Sequence, residues 1–140
     1  MKYWRWEYTG GAHGDGENYY INYNRNTGEI ITWDTLFKDN KVFLNYVKRR
    51  IYDELVEIAY VGKGSAKEAG SIVTKTGYFS IRSDGLYIEF GPYEIAPYSS
   101  GLPSLSISKK VLKKYMSKTL YRTYFINDGS VYLDTTCSKK

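Results

Sequence analysis

Apolar and polar residues change their period several times along the chain, and each change marks an element. Tyr3-Trp4-Arg5-Trp6-Glu7-Tyr8 alternates with Trp4, Trp6 and Tyr8 on one face, the two-residue period of a strand. A glycine-rich loop is expected from Thr9 to Asn18. Alternation resumes over Tyr19–Arg25, and Asn26-Thr27-Gly28 is turn chemistry before Glu29–Thr32, so a hairpin is expected. Asp34–Phe37 suits one short helical turn. The period then lengthens: Phe43, Val47, Ile51, Leu55 and Ile58 are spaced by fours and threes, with Arg49, Arg50, Asp53 and Glu54 off that stripe. This predicts a long helix over about Lys41–Ala59, capped by Asp39 or Asn40.

The stretch Tyr60–Thr76 is rich in Gly, Ser, Lys and Ala and reads as a mobile loop or a weak helical turn. Tyr78–Arg82 and Leu86–Phe90 flank Ser83-Asp84-Gly85, a hairpin signal. A proline-tyrosine loop follows, then a strand over Ser104–Ile107. Ser108 stands where it would cap a small helix over Lys109–Met116, with Val111, Leu112 and Tyr115 as its apolar side. Tyr121–Asn127 and Val131–Thr135 around Asp128-Gly129 suggest a second hairpin. No repeat or linker interrupts this order. One domain of 140 residues is expected, with 108–135 as a C-terminal extension. The periodicities together predict an α+β fold in two layers. In it a bent antiparallel sheet carries one long helix across a face, with a small C-terminal helix.

Composition adds one point of emphasis. Tyrosine supplies 16 residues against 3 Trp and 5 Phe, so many rings must be half buried, with an apolar body and a polar tip. That suits a sheet with one wet face, or a surface that stacks on sugars or bases. The net charge of +5 is modest and uneven, with Lys109, Lys110, Lys113, Lys114, Lys139 and Lys140 towards the C-terminal side. Cys137 is alone, which rules out an internal disulfide. No signal peptide is visible and no apolar run reaches the ~18 residues of a membrane span, so the expectation is either a cytosolic protein or one whose leader or anchor is missing from this chain.

Two segments place residues by chain geometry. The first is Tyr8-Thr9-Gly10-Gly11-Ala12-His13-Gly14. The second is Gly91-Pro92-Tyr93-Glu94-Ile95-Ala96-Pro97-Tyr98-Ser99-Ser100-Gly101. Gly10, Gly11, Gly14, Pro92, Pro97 and Gly101 read as loop structure. Known chemistries fit poorly. Gly14-x-Gly16 is followed by Tyr19 where a dinucleotide fingerprint needs glycine, and no Gly-Lys-Ser/Thr closes a phosphate loop. Asp15, Glu17 and Asn18 offer oxygens for a weak cation site but lack the acidic twelfth position of a calcium loop. One His and one Cys leave too few ligands for a usual zinc site, and no cofactor is expected. Aromatics interleaved with cations at Tyr3–Trp6 and Tyr121–Tyr124 read as sheet faces, and nucleic acid is not an expected partner. His13 is the one candidate general base near neutral pH, and Glu89 with Glu94 is a conceivable glycosidase pair.

Taken in order, Tyr8–Gly14, Tyr23-Asn24, Thr27-Gly28-Glu29-Ile30, Leu36-Phe37-Lys38 and Leu86 through Gly101 resemble one family. It is a bacterial extracytoplasmic domain of unassigned function, found in RsiV-type anti-sigma factors and beside the catalytic domain of PdaC-type peptidoglycan deacetylases. The resemblance covers about Trp4–Ile107. It implies the same two-layer fold, residence outside the cytoplasm, and binding or sensing rather than catalysis. The basic charge here argues against lysozyme, itself basic, as a partner. The expectation is a non-enzymatic binding domain for a cell-wall polymer or an extracellular protein, its site near His13, Tyr93, Glu94 and Tyr98. The alternative is a wall-glycan hydrolase or deacetylase using His13 and the carboxylates. Oligomeric state is not legible.

Overall fold

A computed structural model of the chain describes residues 2–8, 10, 15–38, 40–58, 62–75, 77–91, 93–97, 99 and 101–126. His13, Tyr98, Gly11, Gly14, Pro92 and the anticipated arm Val131–Thr135 lie outside them. The elements in order are β1 (Lys2–Glu7), β2 (Asp15–Tyr20), α1 (Trp33–Phe37), α2 (Lys41–Ile58), α3 (Lys63–Ile72), β3 (Phe79–Arg82), β4 (Gly85–Glu89), β5 (Ser104–Ser108), α4 (Lys109–Leu112) and α5 (Lys118–Phe125).

The α+β expectation holds. β3, β4 and β5 form an antiparallel sheet in sequence order, with Ile81 opposite Leu86 and Leu86 opposite Ile107. Phe79, Ile81, Leu86, Ile88, Leu105 and Ile107 share its inner face and are buried. On β5 the alternating Ser104, Ser106 and Ser108 are exposed. α2 turns Phe43, Val47 and Ile51 into the same core, as the spacing by fours demands. Asp39 lies outside the described residues, and Asn40 caps the helix, its Oδ1 accepting from Phe43 N at 2.9 Å. Its amide also donates to the Tyr115 carbonyl at 3.1 Å, tying the helix start to the C-terminal corner. α1 adds Trp33 and Phe37 to this core, with Phe37 4.3 Å from Phe43 between ring centres and Trp33 edge-on to Phe79 at 5.7 Å.

Several expectations are corrected. Asp15–Asn18, read as loop, belongs to β2, which pairs with β1 from Lys2–Tyr20 to Glu7–Asp15. The hairpin expected around Asn26-Thr27-Gly28 shrinks to one bridge between Tyr23 and Ile30. Tyr60–Thr76, read as a mobile loop or a weak helical turn, contains a full ten-residue helix, α3, which buries Ala66, Ala69 and Val73. Small side chains suit its close packing on α2: a Cβ on Gly70 would lie 3.2 Å from Lys48 Cγ, a tight contact. Ser108 occupies the cap position of α4 but makes no side-chain capping bond. Tyr121–Phe125, taken as a strand, is helical in α5, started by the Ser117 side chain accepting from Leu120 N. Its aromatic residues recur at three and four, and Leu120, Tyr121, Tyr124 and Phe125 all pack on the core.

The β1–β2 ribbon meets the sheet at one backbone bridge, where Tyr20 N donates to Gly77 O at 3.1 Å. Gly77 has φ +106°, and a Cβ there would strike the Tyr19 ring at 2.4 Å. The Tyr19 ring can lie against this position only because no side chain is present.

Candidate functional site

The second signature segment opens with a turn in which Glu94 N donates to Gly91 O at 3.4 Å. Glu94 closes that turn again with its side chain: Oε2 accepts from Gly91 N at 2.8 Å, and Oε1 accepts from the Tyr78 hydroxyl. Ile95 and Ala96 then bury themselves in the core, so the loop is anchored on both sides of its tip. The tip is Tyr93. Its backbone has φ +60°, in the left-handed region that a bulky side chain rarely adopts, and the residue is 53% exposed. A tyrosine held there costs about 1 kcal/mol or more, and the bonds of Glu94 help hold it.

The outer face of the sheet carries a second polar cluster. The register puts Ser80, Arg82, Tyr87 and Glu89 on the face opposite the core. The Arg82 guanidinium lies over the Tyr87 ring at 4.0 Å and reaches both oxygens of Glu89 at 3.2 Å. Glu89 also accepts from the hydroxyl of buried Tyr20, at the end of β2. The Tyr87 hydroxyl donates to Asp84 at 2.5 Å, which raises its pKa above the ordinary phenol value. Ser80 Oγ is buried with no hydrogen-bond partner among the described residues. β4 and β5 close tightly beside this cluster: a Cβ on Gly85 would lie 2.2 Å from the Ile107 carbonyl oxygen. That glycine, counted as part of a turn signal, is a close-approach residue within β4.

Of the anticipated site residues, Tyr93 and Glu94 thus sit together on the signature turn. Pro97 is exposed, and Gly10 and Gly101 have φ +92° and +74°, the conformation their identity permits. Reading by sequence missed Tyr78, Tyr20 and Arg82 as the partners of the two glutamates. The hairpin register offered a signal for Arg82 and Glu89, since it assigns both to the wet face. Nothing comparable pointed to Tyr20, which lies 69 positions from Glu89. The acids once considered as a glycosidase pair are each engaged in tying chain segments together. Asp15 and Glu17, weighed as calcium ligands, are strand residues. No group of three or more His, Cys, Asp or Glu gathers around a common point among the described residues.

These features define an α+β domain with a carboxylate-locked signature loop. The chain belongs to the family described as a protein of unknown function (DUF3298), whose sequence pattern matches residues 34–110, from α1 to the start of α4. It is 26% identical over 116 residues to the peptidoglycan-N-acetylmuramic acid deacetylase PdaC of Bacillus subtilis (strain 168), taking in 81% of this chain and 25% of that enzyme. The chain therefore spans about a quarter of the length of this curated relative. The crystal structure of a DUF3298 family protein from Pseudomonas aeruginosa PAO1 shares the fold, with a TM-score of 0.56 at 19% identity over 82% of this chain and 53% of that one. Among the described residues no helix is long and apolar enough to cross a membrane.

Proposed function

We propose that this is a non-catalytic binding domain of the bacterial cell envelope, acting outside the cytoplasm on the glycan of the wall. The observation that carries the reading is Tyr93, a ring held outward in a strained backbone conformation on a turn that Glu94 closes. The left-handed backbone conformation costs a tyrosine energy that a glycine would not incur. A preorganised aromatic ring, in contrast, offers a flat apolar face to a pyranose at little entropic cost. The relationship to a peptidoglycan deacetylase supplies the chemical setting. Tyr98 and His13 join this reading from the two signature segments of the sequence. Binding is favoured over hydrolysis because Glu89 and Glu94 both serve as fastenings.

The test is co-sedimentation with insoluble peptidoglycan stripped of its anionic polymers, at low and high salt. Retention in both, lost in a folded Tyr93→Ala variant, supports the proposal. Failure of the wild type to sediment, or equal retention of the variant, overturns it and directs the search to a protein partner.

A further inference from the structure

The charge of the chain is concentrated to a degree that its total conceals. From Ile95 to Asn127 there is no Asp or Glu, yet Lys109, Lys110, Lys113, Lys114, Lys118 and Arg122 all fall there. With six of the 20 basic residues in that stretch, the other fourteen stand against all 15 acids. The net positive charge of the molecule thus belongs to one corner, built by α4, the turn after it, and α5.

All six of these side chains are exposed. Elsewhere four arginines pair with acids: Arg5 with Glu7, Arg49 with Asp53, Arg50 with Glu54, Arg82 with Glu89. None of the six takes part in an ion pair among the described residues. The spacing of the first four, at i, i+1, i+4 and i+5, aligns them along one side of the turn that runs from α4. Lys118 and Arg122 repeat the i, i+4 spacing on α5. No acid stands in the first turn of either helix, where the helix dipole would favour one.

We infer that this corner binds a flexible linear polymer of repeating phosphodiesters, of the poly(glycerol phosphate) type. Five of the six cations are lysines, compact point charges that suit phosphates in a moving chain better than fixed, fork-like recognition. The apolar sides of α4 and α5 are consumed by the core through Leu112, Met116, Leu120 and Tyr121, so neither helix has an apolar face to insert into a bilayer. The tyrosines of the corner are half buried against the core, which removes the stacking platform that single-stranded nucleic acid uses. The choice among phosphate polymers rests on the envelope setting proposed above, while the charge argument does not.

The experiment measures binding of the intact chain to soluble poly(glycerol phosphate) free of glycan, between 50 and 200 mM salt. Four to six phosphate contacts at roughly −0.7 each give a log–log salt slope of about −3 to −4, or about 50- to 300-fold weaker binding across that range. Lys110→Glu with Lys113→Glu and Lys114→Glu should abolish binding. Glutamine at the same three positions should flatten the slope by about 2 and leaves the surface solvated should the charge reversal misfold. Tyr93→Ala should bind the polymer as the wild type does, which separates this result from the glycan test. The inference is overturned by no binding at 50 mM or by a flat salt slope. Unchanged binding of the glutamine variant overturns it too, as does equal affinity for anionic vesicles or a single-stranded oligonucleotide.

Discussion

Asn22 does the work of a strand with one side chain, and its replacement should be costly. Glu89 N donates to Tyr78 O, so in this antiparallel pair the backbone groups of Phe79 and Ile81 point to the other edge of β3. There the Asn22 amide donates to Phe79 O at 2.9 Å and its Oδ1 accepts from Ile81 N at 2.9 Å. The residue is only 4% exposed. Asn22→Ala leaves both backbone groups buried without partners, at roughly 1–3 kcal/mol for each such group and roughly 2–4 in total once relaxation is allowed. That is a large part of the 5–15 kcal/mol that holds a typical domain. The midpoint of thermal unfolding should fall by roughly 7–15 °C. Urea titration followed by far-ultraviolet circular dichroism measures the change. Asn22→Asp is the sharper variant, because an ionised carboxylate accepts from Ile81 N but sets a charge against the Phe79 carbonyl. Its folded carboxyl should therefore titrate above the unfolded one. Its deficit relative to wild type should shrink in acid and grow as pH rises through the carboxyl range. A loss below about 0.5 kcal/mol for the alanine variant would refute the strand-substitute role.

Other consequences are simpler to state. Gly85→Ala drives a methyl into the Ile107 carbonyl and should destabilise by roughly 1–3 kcal/mol in chemical denaturation, or prevent folding. Ser80→Ala removes a buried hydroxyl that lacks a partner, and should be neutral or stabilising by up to about 2 kcal/mol in the same assay. Tyr93→Gly relieves the left-handed strain and should leave stability unchanged or raised by about 1 kcal/mol while abolishing retention on peptidoglycan. Tyr124 has its pKa raised by burial first and by the charge of Glu29 second, so the folded phenol holds its proton to higher pH than the unfolded one. Its contribution is complete below the ordinary phenol value near 10 and is lost as pH rises through the folded value. Tyr124→Phe should flatten the alkaline limb of the stability–pH curve.

What could be read in advance followed from local pattern. Phe43, Val47 and Ile51 announce α2 by their spacing, and Ser83-Asp84 between two apolar runs announces β3 and β4. Failures came where the determinant lies elsewhere in the chain. α3 has few large apolar residues because its small ones press against α2, so its own stretch looks like a loop. The aromatic content of Tyr121–Phe125 beside Asp128-Gly129 suggests a strand, although Tyr121, Tyr124 and Phe125 stand at the three- and four-residue spacing of the helix it forms. In the candidate site, the proline-tyrosine segment marked itself by composition. That Glu94 would fasten the loop to Tyr78 follows only when β3 brings residue 78 alongside, and Asn22 gives no local sign of its partners at residues 79 and 81.

The bridge between Tyr20 and Gly77 has a consequence for the order of assembly. β3, β4, β5 and α4 are consecutive in the chain, so their pairings close short loops and can form early. Joining the ribbon to them closes a loop of more than fifty residues through ties that include the Tyr20–Gly77 backbone bond, the Tyr20 phenol and the Asn22 amide. The transition state should therefore contain the meander and lack the ribbon's attachment. Substitutions at Ile88 should slow folding, whereas those at Asn22 should leave the folding rate alone and hasten unfolding.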